Sequence, residues 1–180
     1  MATKRRKPGI EISIPGSGSL HIRAVCSDYT GTLSCEGELI AGVEERLAKL
    51  AGRVDIHIVT SDTRKTAAAQ LETLKKQELV TLVDTIPSDV RHDVFKLRYM
   101  RELGIKLRDV AVFGNGRNDV KWLKAVKHAG GLAVAVDVGE GCAMDAMNNP
   151  TVFVGGIVNA LDLLLDTKRV IGTLRTEGDT

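Results

Sequence analysis

Asp28-Tyr29-Thr30-Gly31-Thr32-Leu33 sets a carboxylate, hydroxyls and a glycine directly after the apolar run Ile22-Arg23-Ala24-Val25-Cys26. Such a run predicts a buried strand, and a carboxylate at its C-terminal end stands where open α/β sheets bind ligands. Gly31 lets the backbone turn tightly, and the small residues beside it leave room for a phosphate. An Asp here also serves as an ordinary turn or N-cap residue, so further groups must decide. Thr60-Ser61-Asp62 follows the apolar run Ile56-His57-Ile58-Val59, and Gly114-Asn115-Gly116-Arg117-Asn118-Asp119 follows Val110-Ala111-Val112-Phe113. Lys96 lies in a helical stretch between them. Phosphoryl transfer needs such a set: a carboxylate to attack phosphorus, a hydroxyl on a phosphoryl oxygen, a lysine against the charge, and oxygen ligands for Mg²⁺.

The elements that position these groups form a series. Ile10-Glu11-Ile12-Ser13-Ile14 alternates and then turns through Pro15-Gly16-Ser17-Gly18-Ser19, predicting a β-hairpin whose second arm runs from Leu20 into the strand ending at Asp28. Cys35-Glu36-Gly37-Glu38 predicts a short turn or flap, and Val43, Leu47 and Leu50 recur at helical spacing. Apolar runs follow at 56–59, 80–83, 110–113, 132–136 and 152–154, separated by helical stretches near 64–78, 89–103, 118–129, 140–148 and 156–167. Near-continuous apolar strands alternating with amphipathic helices predict an α/β fold with a parallel central sheet covered on both faces.

Composition narrows the class. A chain of 180 residues, 43% hydrophobic and 27% charged, suits one soluble globular domain over 10–180. The basic run Lys4-Arg5-Arg6-Lys7 before Pro8-Gly9 reads as a disordered tail over 1–9. Aromatics at 3% argue against base-stacking platforms and so against a nucleic-acid partner. Three widely spaced cysteines argue for a reducing compartment. With no signal-peptide pattern or membrane-spanning run, the expected location is the cytoplasm, with no membrane partner. Taken singly, the candidates have plainer roles: Asn115-Gly116 as a tight turn, Lys96 as a solvated charge, Trp122 as core. Arg91 and Arg98 compete with Lys96, and Asp62, Arg64 and Arg117 flank the site or face solvent.

In order and spacing, the four segments resemble the motifs of the haloacid dehalogenase (HAD) superfamily of aspartate-nucleophile phosphotransferases. Thr30 and the Gly114–Asp119 loop look most like the phosphorylation domain of P-type ATPases. Glu11-Ile12-Ser13-Ile14-Pro15-Gly16, Ala160–Leu165, Arg169 and Thr173-Leu174-Arg175 are similar to the soluble P-type-ATPase-like hydrolases. The resemblance implies a three-layer, Rossmann-like α/β/α core. In it Asp28 is the nucleophile that becomes aspartyl-phosphate, Thr60 and Lys96 bind the phosphoryl group, and Ser61, Gly31 and Gly116 complete its cradle. Asp28, the Thr30 carbonyl, Asn115 and Asp119 are the implied surroundings of Mg²⁺.

Two positions depart from the pattern. Thr30 stands where most phosphatases of the superfamily carry an Asp that protonates the leaving group and activates water. Losing such a group costs about 10²–10⁴-fold. Asn115 replaces the usual metal-binding carboxylate, which predicts weaker Mg²⁺ binding. The intervals between motifs hold only the helices and strands already assigned, so no cap domain is expected. The open crevice then suits a large substrate or closure by a neighbouring subunit, and a homo-oligomer, dimer or tetramer, is expected, with the 10–27 hairpin contributing. The leading function is a Mg²⁺-dependent phosphatase or phosphotransferase for an unidentified phosphorylated substrate. The alternative is a binding or regulatory protein that keeps the fold with little or no turnover. A receiver-type phosphoacceptor is disfavoured, because Asp28 precedes nearly all the α/β units.

Overall fold

The apolar runs meet side by side in one sheet. The computed structural model describes residues 7–176, so Lys4, Arg5 and Arg6 of the expected tail lie outside the described residues. Within the rest of that tail, the Lys7 ammonium donates to the Val54 carbonyl (2.9 Å) and pairs with Asp55, and the Gly9 N–H bonds the Arg53 carbonyl. The hairpin comprises β1 (Ile10–Ile14) and β2 (Gly18–Ile22). Ile10, Ile12 and Ile14 point inward while Glu11 and Ser13 face solvent, the alternation of a half-buried strand.

The second arm does not continue to Asp28. It ends at Ile22, and Arg23 uses its backbone elsewhere, donating to the Asp109 carbonyl (2.7 Å) and accepting from the Asp55 N–H (3.0 Å). The chain then enters the central sheet as β3 (Ala24–Ser27). A small hairpin follows, β4 (Ser34–Cys35) with β5 (Glu38–Leu39), then α1 (Val43–Ala51), β6 (Asp55–Val59), the short helices α2 (Ala67–Gln70) and α3 (Glu72–Lys76), and β7 (Thr81–Val83). The second half runs α4 (His92–Glu102), β8 (Val110–Gly114), α5 (Val120–His128), β9 (Leu132–Asp137), α6 (Met144–Met147), β10 (Val152–Gly155), α7 (Ile157–Leu165) and α8 (Thr167–Leu174).

The six parallel strands lie in the order β10-β9-β8-β3-β6-β7. The chain builds outward from β3 to β7, crosses back, and builds the other way from β8. The order therefore reverses between β3 and β8, the place where open α/β sheets form a ligand crevice beyond their C-terminal ends. Alternate strand residues fill two cores. Val25, Ile58, Phe113 and Val134 pack with the hairpin, α1, α7 and α8 on one face. Cys26, Val59, Val112 and Ala133 pack with α4, α5 and α6 on the other. The result is the expected three-layer α/β/α arrangement.

Some expected helices are shorter. The 64–78 stretch breaks at Leu71. The 140–148 stretch shrinks to α6 because Gly139 and Gly141 take positive φ and both donate their N–H groups to Asp137 Oδ1. The 156–167 stretch ends at Asp166, whose carboxylate accepts from the Lys168 N–H and caps α8. The inner side of the hairpin is covered by α8, with the Thr176 N–H on the Pro15 carbonyl and the Ser17 hydroxyl on the Leu174 carbonyl. No described helix is long and apolar enough to cross a membrane.

Candidate active site

Asp28 extends the pairing of β3 with β8 by one residue, donating its N–H to the Phe113 carbonyl (3.1 Å). The chain then folds sharply. Gly31 adopts φ +70°, and the N–H groups of Thr32, Leu33 and Ser34 all turn onto the Tyr29 carbonyl. Tyr29 is buried and its hydroxyl donates to the Gly37 carbonyl, anchoring the β4–β5 hairpin to the nucleophile loop. Gly31 is required twice over, since a Cβ there would lie 2.5 Å from Asn115 Nδ2 as well as straining a left-handed backbone. The loops after β3 and β8 are thus in direct contact.

Lys96, fully buried on the second turn of α4, joins those loops. Its Nζ stands 3.1 Å from Asp28 Oδ2 and 2.8 Å from Asp119 Oδ1. Asp119 Oδ2 accepts the N–H groups of Asn115 and Gly116, each at 3.0 Å. Trp122, three residues further and also fully buried, places its ring under the ammonium at 5.0 Å from the centroid. Burial alone favours discharging Lys96, but Asp119 and Asp28 outweigh it and hold the ammonium's pKa above its ordinary value. Asp28 is pushed up to about 6, chiefly by burial; Lys96 opposes the shift and the Asp119 charge adds to it.

Thr60 ends β6 in the next strand position, bonded through its N–H to the Val83 carbonyl, while its Oγ1 accepts the Asp62 N–H (3.0 Å). Asp62 is a structural residue. Nearly buried, it accepts the N–H groups of Thr66 and Ala67 at the start of α2. Ser61 lies half-buried between them. Asn115 Oδ1 accepts from the Thr32 hydroxyl (3.2 Å), and its Nδ2 donates to the Gly141 carbonyl (3.1 Å). Thr30 Oγ1 is buried without a hydrogen-bond partner. Among the described residues, no three His, Cys, Asp or Glu side chains gather into a metal-holding group.

Asp28, Lys96, Asn115 and Asp119 therefore come together, with Thr30 and Gly31 on the touching loop. The Gly116 N–H and the Asp119 carboxylate are bound to each other. Sequence reasoning missed Trp122 as a neighbour of the lysine, although its spacing from Asp119 puts both on one helical face. It also missed the meeting of Glu140 with the Glu36 N–H and Arg64, which links the β9–α6 loop to the β4–β5 hairpin.

No known family profile and no curated protein matches this sequence. Solved structures do match in fold. The 3-deoxy-D-manno-octulosonate 8-phosphate phosphatase of Moraxella catarrhalis, determined with magnesium, phosphate and KDO, is 15% identical with a TM-score of 0.59, over 84% of this chain and 90% of that one. The cobalt-bound deoxy-D-mannose-octulosonate 8-phosphate phosphatase of Haemophilus influenzae is 14% identical with a TM-score of 0.60, over 86% and 94%. A haloacid dehalogenase-like hydrolase of Streptococcus pneumoniae is 12% identical with a TM-score of 0.57, over 78% and 97%. At such identities the likeness is one of architecture: the chain has the Rossmann-like fold of HAD superfamily hydrolases.

Proposed function

We propose that the protein is a metal-assisted phosphatase or phosphotransferase that works through an aspartyl-phosphate on Asp28. The observation that carries this reading is the buried Lys96 held between Asp28 and Asp119 at the point where the strand order reverses. An Asp28 oxygen attacks phosphorus, its new O–P bond forming as the bond to the leaving oxygen breaks. Lys96 offsets charge on the phosphoryl oxygens, and the Thr60 hydroxyl holds one of them, with Ser61 and Gly31 beside it. A water then attacks phosphorus and releases phosphate from Asp28. Fold resemblance by itself does not set activity; the side-chain arrangement supports it.

Mg²⁺ accepts one or two carboxylates and completes its octahedron with water and phosphate. The Asp28 carboxylate and the Asn115 amide oxygen, on touching loops, fit that demand, with the Thr30 carbonyl as a third donor. Bound there, the ion supplies charge neutralisation for the phosphoryl group. Asp119, fully buried with Oδ1 on Lys96 and Oδ2 accepting the Asn115 and Gly116 N–H groups, acts as the orienting partner of Lys96.

Thr30 sets the expected pace. Its hydroxyl neither protonates a leaving alkoxide nor deprotonates water near neutral pH, so both half-reactions rely on solvent and turnover is slow. The same residue, with Asn115, favours a second reading in which the chain binds a phosphate compound as a regulator. Acid-quench trapping after incubation with a radiolabelled phosphate ester separates the two: label on the native protein and none on Asp28→Asn supports the enzyme. Equal labelling of both refutes it.

The P-type-ATPase-like, capless character belongs to this reading, since only the β4–β5 hairpin and α1 lie between β3 and β6. So does a cytoplasmic setting for the three free cysteines. We also propose a dimer or tetramer that covers the open crevice; a monomer by light scattering at micromolar concentration removes that part.

A further inference from the structure

We infer that the basic rim between the start of α4 and the turn after β8 binds the leaving group of the substrate, and that this group carries a second anion, a carboxylate or another phosphate. The inference rests on the phosphoryl site proposed above and specifies its substrate class.

Arg91, His92, Asp93, Arg117 and Asn118 line a cavity of about 230 Å³, room for a leaving group of a few carbon atoms. It adjoins the proposed site through two elements. Arg117 and Asn118 immediately precede Asp119, and His92 sits one helical turn before Lys96 on the same face of α4. A phosphoryl group on Asp28 and Lys96 can thus direct its ester oxygen along α4 towards this rim.

Charge selects what fits there. Asp93 is the one carboxylate in the lining, and it is held by both Arg91 (2.8 Å) and Lys121 (3.2 Å), leaving that trio net positive. Arg117 pairs through Nε with Asp145 at 3.1 Å, and its side chain is 84% exposed, so the outer guanidinium edge is open to an incoming anion. Guanidinium groups suit carboxylate and phosphate through paired N–H donors. The β4–β5 hairpin and the β9–α6 loop carry Glu36, Glu38 and Glu140, with Arg64 paired to Glu140. A doubly anionic ester is therefore drawn towards α4 and turned away from the hairpin.

The test compares 3-phosphoglycerate with sn-glycerol 3-phosphate, which share a three-carbon skeleton and differ in the carboxylate. A propanediol bisphosphate against its monophosphate forms the second arm, distinguishing a second phosphate from a carboxylate. The native protein is expected to favour the doubly anionic member of at least one pair by roughly five- to tenfold in kcat/KM, chiefly through KM. Arg117→Met should bring that ratio close to one, and Arg117→Lys should restore part of it. A native ratio near one in both pairs, or a ratio unmoved by Arg117→Met, overturns the inference. If no ester is turned over and no phosphoenzyme forms, the catalytic reading has failed instead. Calorimetric binding of the same pairs to the native protein and to Arg117→Met then tests the rim, and equal affinities within the pairs overturn it.

Discussion

The Lys96 ammonium lies 5.0 Å from the ring centroid of Trp122, the chain's single tryptophan, with both side chains fully buried. The ring covers one side of the cation while Asp28 and Asp119 accept from it. Removing the cation leaves two carboxylates buried together. Lys96→Met is expected to lose about 3–5 kcal/mol of stability near pH 8. Without Lys96, which lowers it, the folded pKa of Asp28 stands further above its unfolded value, so stability is fully present below the unfolded carboxylate range and is lost as pH rises through the folded value. The deficit should shrink as pH falls towards 4. Urea titrations followed by tryptophan emission check this; an equal deficit at pH 8 and pH 5 counts against the arrangement.

Asp28→Asn should stabilise the metal-free protein. Burial holds the Asp28 pKa at about 6, above its value in an unfolded chain, so ionising it in the fold costs stability. The native protein loses that contribution as pH rises through 6, and the variant does not. The gain is expected to be roughly 1–3 kcal/mol above pH 7, or ~2–10 °C in Tm, and to vanish near pH 4. Thermal melts at several pH values in chelator read it directly. A lower Tm for the variant at pH 8 would sink the prediction.

The strands were legible because β3, β8 and β9 are buried on both faces and appear as near-continuous apolar runs; their order in the sheet was not. Asp28, Thr60 and the 114–119 loop stood out as candidates because each falls at or after such a run, whereas Lys96 lies inside α4 and stood out through the resemblance. Arg23 was not, since its backbone bonds to Asp109 and Asp55, rather than its side chain, end the hairpin. Asp62 sits in a polar turn where capping and substrate contact call for the same residue type. The Lys96–Trp122 contact and the basic rim depend on how α4 packs against α5 and the turn after β8. That packing joins positions far apart in the chain, which local periodicity does not encode.

On the proposed reading, Asn115 sets the strength of metal binding. Replacing its amide with a carboxylate adds negative charge beside Asp28 while forfeiting the hydrogen bond from Nδ2 to the Gly141 carbonyl. Asn115→Asp is therefore expected to melt lower than the native protein in chelator, by about 1–2 kcal/mol, and to recover when Mg²⁺ is added. Half-saturation by Mg²⁺ should fall by roughly tenfold, one added charge contributing on the order of 1.4 kcal/mol. Calorimetric titration of both proteins with Mg²⁺ measures the difference, and unchanged affinity would show that Asn115 is not a donor.

Thr30 supplies the sharpest contrast between the enzyme and regulator readings. Its hydroxyl is buried and without a hydrogen-bond partner, on the loop that touches Asn115. A carboxyl group at this position would supply the acid for the leaving oxygen and the base for water. Thr30→Asp should therefore raise phosphate release by about 10–10²-fold, somewhat less than a fully positioned acid–base because its surroundings were not built for a second carboxylate. Under acid quench, the steady-state level of labelled Asp28 should fall as hydrolysis speeds up. The pH profile should also gain a rising limb and a falling limb where the native protein shows the first alone. An unchanged rate with the variant still folded would mean that this residue does not face the reacting atoms, leaving binding of a phosphate compound as the better account of the site.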